Sequence, residues 1–134
     1  MLDEDRFVMY VIIRNDLDSM TPGRACAQAT HAANHCVYSL INIDDMRGLR
    51  EWQNETPQKF GTTIVLQADW LTILDVIDSI NYMVGKHIKY GIVHDPEYHI
   101  QDGSVTHLIP LDTCAWIFGK KSDIKPYIEY LELY

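Results

Sequence analysis

TPGRACAQATHAANH, Thr21 to His35, is the stretch on which the reading of the fold turns. Thr21 suits an N-cap, because its hydroxyl accepts from a backbone N–H that lacks an intrahelical partner. Pro22 suits the first helical position, where a missing N–H costs nothing. The alanines at 25, 27, 29, 32 and 33 sustain a helix expected to run to about Leu40. An ordinary core helix would place leucines at this period. Alanines instead allow close approach of a sheet backbone or of a ligand. Arg24, Gln28, His31 and His35 recur at i, i+4, i+7 and i+11, so they share one helical face.

On the N-terminal side of this helix, Phe7 to Ile13 is a continuous apolar, β-branched run of the kind expected for a buried strand. On its C-terminal side, Asp44 or Asp45 is placed to cap a short helix through Trp52. Thr62 to Leu66 reads as a second strand. Asp69 is placed to cap a helix carrying Leu71, Leu74 and Ile77, with Gly85 placed to end it. His87 to Val93 and Thr113 to Phe118 read as the third and fourth strands. Asp95 to Leu111 reads as a long polar loop between them, and Asp123 to Leu133 as a last helix. The expected class is α/β: one domain over residues 1–134, with a mixed four-stranded sheet, helices on both faces and the order β-α-α-β-α-β-β-α. A loop this long in a compact domain is usually functional or mobile.

The chain has 134 residues, 47% of them hydrophobic, and a net charge of −8. That charge argues against general coating of nucleic acid, which needs an excess of Lys and Arg. It leaves room for a local basic site, with any nucleic-acid binding expected to be weak and salt-dependent. No apolar run is long enough for a membrane span. The acidic start MLDEDRFVMY lacks the basic region of a signal peptide. Cys26, Cys36 and Cys114 are odd in number and show no CxxC spacing, which favours reduced thiols in a cytoplasmic protein.

The start of the first helix is a candidate site in its own right. Its unpartnered N–H groups carry partial positive charge, Gly23 leaves access open, and Arg24 adds a cation. Together they suit a phosphate or a developing oxyanion. The same residues also suit a tightly packed helix with a solvated polar face. His31 and His35 with Cys36 resemble the beginning of a zinc site, but no HExxH and no clear third ligand accompany them, so no metal or cofactor is expected. His94, His99 and His107 cluster around the long loop. No P-loop and no serine elbow is present. Cys26 is expected to be a small buried hydrophobe.

The strand YVIIRNDL followed by PGRACAQATHAA resembles the start of the type-two peptidyl-tRNA hydrolase family. That family has a strand ending in Arg-x-Asp-Leu and then Gly-Lys-x-x-x-Gln-x-x-His-Ala. The matching residues here are Arg14, Asp16, Leu17, Gly23, Arg24, Gln28, His31 and Ala32. Asp95 and Thr113 look like the family's Asp after the third strand and Thr opening the fourth. The resemblance spans about Tyr10 to Leu133. The family's lysine is Arg24 here, which keeps the charge and changes the geometry. Asp95-Pro96-Glu97-Tyr98 replaces the usual Asp-Ala-Gly and looks like an Asp-Pro-x-Tyr subgroup of phage and bacterial members.

The resemblance implies hydrolysis of the ester joining a peptide to the 3′ ribose of tRNA, with peptidyl-tRNA as partner, no membrane, and a homodimer as in many members. It implies Arg24, Asp95, Thr113 and His31 as catalytic residues: Asp95 for water, Thr113 for water or the carbonyl, Arg24 for negative charge. Gly23, Gln28, Arg14 and Tyr98 are implied as substrate-binding. A second reading keeps the fold and the binding of tRNA or a protein, without hydrolysis. Each site residue also has an ordinary role open to it: Asp95 to start a turn before Pro96, Thr113 to be a strand residue, Gln28 to be a buried amide, His31 to bond backbone.

Overall fold

In the computed structural model, residues 5–43, 46–83 and 87–134 are described. Strand β1 (Phe7–Arg14) is the middle of the sheet, and every side chain from Val8 to Ile13 is buried. Alternation along β1 explains why. Met9, Val11 and Ile13 face one side; Val8, Tyr10 and Ile12 face the other. A strand covered on both faces needs no polar alternation, so the sequence there is a continuous apolar run.

Two helices cover the first side: α1 (Pro22–Ile41) and α2 (Arg47–Gln53). Two cover the second: α3 (Trp70–Asn81) and α4 (Lys121–Ile128). The remaining strands are β2 (Thr63–Ala68), β3 (Lys89–Asp102), β4 (Val105–Lys120) and β5 (Glu132–Leu133). Their order in the sheet is β3-β4-β1-β2-β5. β1 and β2 run parallel, joined through α1 and α2, and the other pairings are antiparallel. The sheet is therefore mixed with helices on both faces, as the sequence implies.

The caps lie where expected. Thr21 Oγ1 accepts from Arg24 N–H at 3.3 Å, and Asp69 accepts from Thr72 N–H at 2.8 Å. The residues expected to cap α2, Asp44 and Asp45, and Gly85, expected to end α3, lie outside the described residues; α2 itself begins after Met46.

Three expectations are corrected. Among the described residues the sheet has five strands, not four. The chain after α4 is not helix to Leu133: Glu132–Leu133 pairs with Leu66 and Gln67, and Gln67 Nε2 donates to Leu133 C=O at 2.8 Å. Two residues are too few to show a period in sequence. Asp95–Leu111 is likewise not a loop. It is the far half of the β3–β4 hairpin, closed by Gly103 and Ser104. Gly103 has φ of +60° and Ser104 does not have positive φ, which is the signature of a type II′ turn with Gly first. Residues 101–108 are exposed, so the hairpin carries no apolar alternation by which a strand is recognised.

The site end of the sheet depends on one tight contact. Gly91 pairs with Trp116 across β3 and β4, and a Cβ on Gly91 would lie 2.5 Å from Trp116 Nε1. That nitrogen donates to His35 Nδ1 at 2.9 Å, tying α1 to the sheet. Gly91→Ala is expected to destabilise the chain by about 1–3 kcal/mol, seen as a lower urea midpoint at unchanged slope.

Candidate active site

Buried positions on α1 are Ala25, Gln28, Ala32, Cys36 and Leu40. This is the stripe laid against the sheet, and its small residues bring the helix close. Arg24, His31 and His35 lie along its flank, partly or fully exposed. Gln28 belongs to both: it shares the polar face read from the sequence, yet it is only 3% exposed.

A buried amide requires partners, and Gln28 has them on both atoms. Its Oε1 accepts from the Thr113 hydroxyl at 2.6 Å, and its Nε2 donates to Asp95 Oδ2 at 2.7 Å. The result is a directed chain, Thr113 to Gln28 to Asp95. Because an ionised carboxylate only accepts, the NH₂ must face Asp95, which leaves the amide oxygen facing Thr113 and the hydroxyl as donor. Thr113 is 0% exposed and sits behind Gln28 rather than at the surface of the cleft.

Two bulges build this arrangement. By alternation Thr113 would share a face with Ala115 and Ile117, which lie in the core on the α3 side. The β3–β4 register instead steps from Val93↔Cys114 to His94↔Asp112, leaving Thr113 as an extra residue on β4. A bulge of this kind re-aims one side chain, and here it turns Thr113 toward Gln28. A second shift, from Asp95↔Leu111 to Tyr98↔Ile109, places an extra residue on β3 and turns Tyr98 inward. Tyr98 is 2% exposed, and its hydroxyl lies 2.9 Å from Ser19 Oγ. Ser19 C=O in turn accepts from the Arg24 guanidinium at 2.7 Å.

Asp95 also makes the turn expected of an Asp before Pro96: its Oδ1 accepts from Glu97 N–H at 2.9 Å. Burial pushes its pKa up and is the largest single influence. The hydrogen bonds from Gln28 and Glu97, with the charges of His31 and His99, outweigh it together, and the carboxyl is held below its ordinary 3.8. Asp95 is thus a carboxylate throughout the neutral range.

These groups open on a cleft of about 370 Å³ lined by Arg24, Ala27, Gln28, His31, Asp95, Glu97, Tyr98 and His99. Arg24 spends one guanidinium N–H on Ser19, and its others have no partner among the described residues. His31 lines the cleft and makes no side-chain hydrogen bond among the described residues. Gly23 is exposed, and a Cβ there would meet nothing within 4 Å. The protein itself therefore does not require glycine at that position.

Arg14 stands apart from the cleft lining. Its guanidinium donates to both Asp16 oxygens and to Asp112 C=O, and it lies over the Trp70 ring at 5.3 Å. The Arg14 hydrogen bond leads the influences holding Asp16 below its ordinary pKa. Asp112 precedes the bulged Thr113, so Arg14 anchors β4 where it changes register.

Sequence reading missed Glu97 as a cleft residue and placed His99 only in a histidine cluster around the long loop. They fall in the stretch read as loop, and only strand pairing could have brought them beside Asp95. Cys26, expected to be buried, is exposed. Cys36 and Cys114 are buried, and burial pushes both thiols up to about 12. Cys36 faces the core while His31 and His35 lie on the flank, and His35 Nδ1 is occupied by Trp116. Among the described residues no three His, Cys, Asp or Glu side chains are grouped to hold a metal ion.

Comparison of the sequence with known proteins identifies a family. The family model described as Peptidyl-tRNA hydrolase PTH2 matches residues 7–134. A peptidyl-tRNA hydrolase of Saccharolobus islandicus is 30% identical over 101 residues, covering 75% of this chain and 81% of the relative. One from Saccharolobus solfataricus is 28% identical over 102 residues, covering 76% of each. The chain belongs to the peptidyl-tRNA hydrolase PTH2 family.

Proposed function

We propose that the cleft around Asp95 is where this chain hydrolyses peptidyl-tRNA, and that the Thr113–Gln28–Asp95 chain sets its geometry. Family membership gives the reaction; the hydrogen-bonded chain is the observation that supports this location for it. In the reaction a water oxygen bonds to the ester carbonyl carbon, and the bond from that carbon to the ribose 3′ oxygen breaks. The water's proton ends on the 3′ oxygen.

Asp95, kept ionised, accepts an O–H of the attacking water and so aims its lone pair at the carbonyl. A carboxylate with a lowered pKa is a poor proton sink, so its contribution is chiefly orientation and charge. Arg24 and His31 meet the negative charge that develops on the carbonyl oxygen. Thr113 acts through Gln28, and Gln28 through Asp95; these two are positioning residues. Arg14 and Tyr98 serve by holding the strands in register, and the open space at Gly23 admits the tRNA terminus near the start of α1. The same proposal places the chain in the Asp-Pro-x-Tyr subgroup of phage and bacterial members. It has the chain acting in the cytoplasm as one unit over residues 1–134, and as a homodimer.

The test is hydrolysis of N-acetyl-aminoacyl-tRNA by the purified protein beside Arg24→Gln. Wild-type turnover is expected, with kcat/KM lower by about 10²-fold or more in the variant. Binding of tRNA without any wild-type turnover would move the function to a non-catalytic module. Gly23→Ala separates substrate from scaffold. Folding stability is expected to hold or to rise by about 0.5 kcal/mol, as for Gly to Ala in a helix, while KM increases. An unchanged KM would remove Gly23 from the binding surface.

A further inference from the structure

Beyond the reacting ester, the structure bears on where the peptide goes. Among the described residues β3 is the outermost strand of the sheet, so one of its edges is unpaired. The II′ turn at Gly103–Ser104 makes Asp102↔Val105 the hydrogen-bonded closing pair, and pair types alternate from there. Gln101 and His99 fall in non-hydrogen-bonded pairs with Thr106 and Leu108. Their backbone N–H and C=O groups therefore point away from β4. Both residues are exposed.

Natural edge strands are usually blunted by proline, lysine or a bulge. β3 is blunted in this way only beside Asp95, by Pro96 and the two register shifts. From Tyr98 to Asp102 it carries none of these. The regular edge thus begins a few residues from the proposed reaction centre, on the order of 10 Å away at about 3.3 Å per residue. That is the reach of the second or third residue of an extended peptide whose C-terminal ester lies at Asp95.

Resting on the proposed function, we infer that the free edge of β3 at His99 and Gln101 receives the peptide of the substrate as an added strand. Backbone-to-backbone pairing recognises peptide as such, with little regard to side chains. It suits an enzyme whose substrate class is any peptide esterified to tRNA. The long hairpin that follows Asp95 is then the peptide subsite.

The test compares steady-state hydrolysis of N-acetyl-alanyl-tRNA with N-acetyl-tetra-alanyl-tRNA, and with two forms of the latter N-methylated at adjacent internal amides. Neighbouring residues of a strand point their amides to opposite sides. The longer substrate is expected to have the lower KM. One N-methyl isomer should raise that KM about fivefold, the worth of one backbone hydrogen bond, and the other should leave it unchanged. Gln101→Pro removes an outward N–H without breaking the ladder. It should raise KM for the tetrapeptide ester and raise it further for the sensitive isomer, because proline removes the protein's donor whereas N-methylation removes the peptide's. Equal KM for short and long substrates, or equal effects of both isomers, overturns the inference. No turnover even of N-acetyl-alanyl-tRNA overturns the hydrolytic reading, and the peptide subsite with it.

Discussion

Asp95→Asn is expected to lower kcat by about 10²–10⁴-fold while leaving the fold intact. The amide keeps the shape and one carbonyl oxygen. It loses the charge that Gln28 Nε2 and Glu97 N–H both point toward. If the new NH₂ faces Gln28, two donors oppose each other in a half-buried place; if it faces Glu97, the turn loses its acceptor. Either way water is no longer aimed by a carboxylate. The pH dependence follows the sign of the shift. Asp95 is lowered below 3.8, so its carboxylate is present above that value. Its contribution to stability is likewise present above the unfolded value and is lost as pH falls through the lower folded one. The wild-type profile of kcat/KM should therefore show no limb from this carboxyl above pH 3.8. A pH-independent kcat in Asp95→Asn close to that of wild type would remove Asp95 from the reaction.

Gln28→Glu should change the pH profile in kind. The new carboxyl would stand about 2.7 Å from Asp95 Oδ2, where two carboxylates cannot both ionise, so the pair titrates jointly with one pKa strongly raised. With one shared proton, the introduced carboxyl mimics the amide, accepting from Thr113 through one oxygen and donating to Asp95 through the other. Activity is then present at low pH and lost as pH rises through the raised value, by on the order of 10²-fold. A merely structural Gln28 would show a lower melting temperature with an unaltered profile. Thr113→Val supplies the companion measurement. It leaves Gln28 Oε1 buried without a donor, at a cost of about 1–3 kcal/mol, and lets the amide rotate away from Asp95, so kcat falls more than KM rises.

Much of this was legible in the sequence. The apolar run at Phe7–Ile13, the Thr21 and Asp69 caps and the alanine stripe are local signals, and local physics decided them: burial on both faces, unpartnered N–H groups, close helix packing. From these came the α/β class, the mixed sheet and, on one helical face, Arg24, Gln28 and His31 of the cleft; Asp95 came only with the family resemblance. Tertiary structure alone decided the rest. The hairpin from Asp95 to Leu111 is stabilised by cross-strand pairing and a II′ turn, not by an apolar face, so no periodicity announced it. β5 exists only because β2 offers an edge. Thr113 faces Gln28 because the register slips by one residue across β3 and β4, and register belongs to a pair of strands, not to either sequence. The side chains of the site were thus set by the sequence, and their directions by pairing between strands distant along the chain.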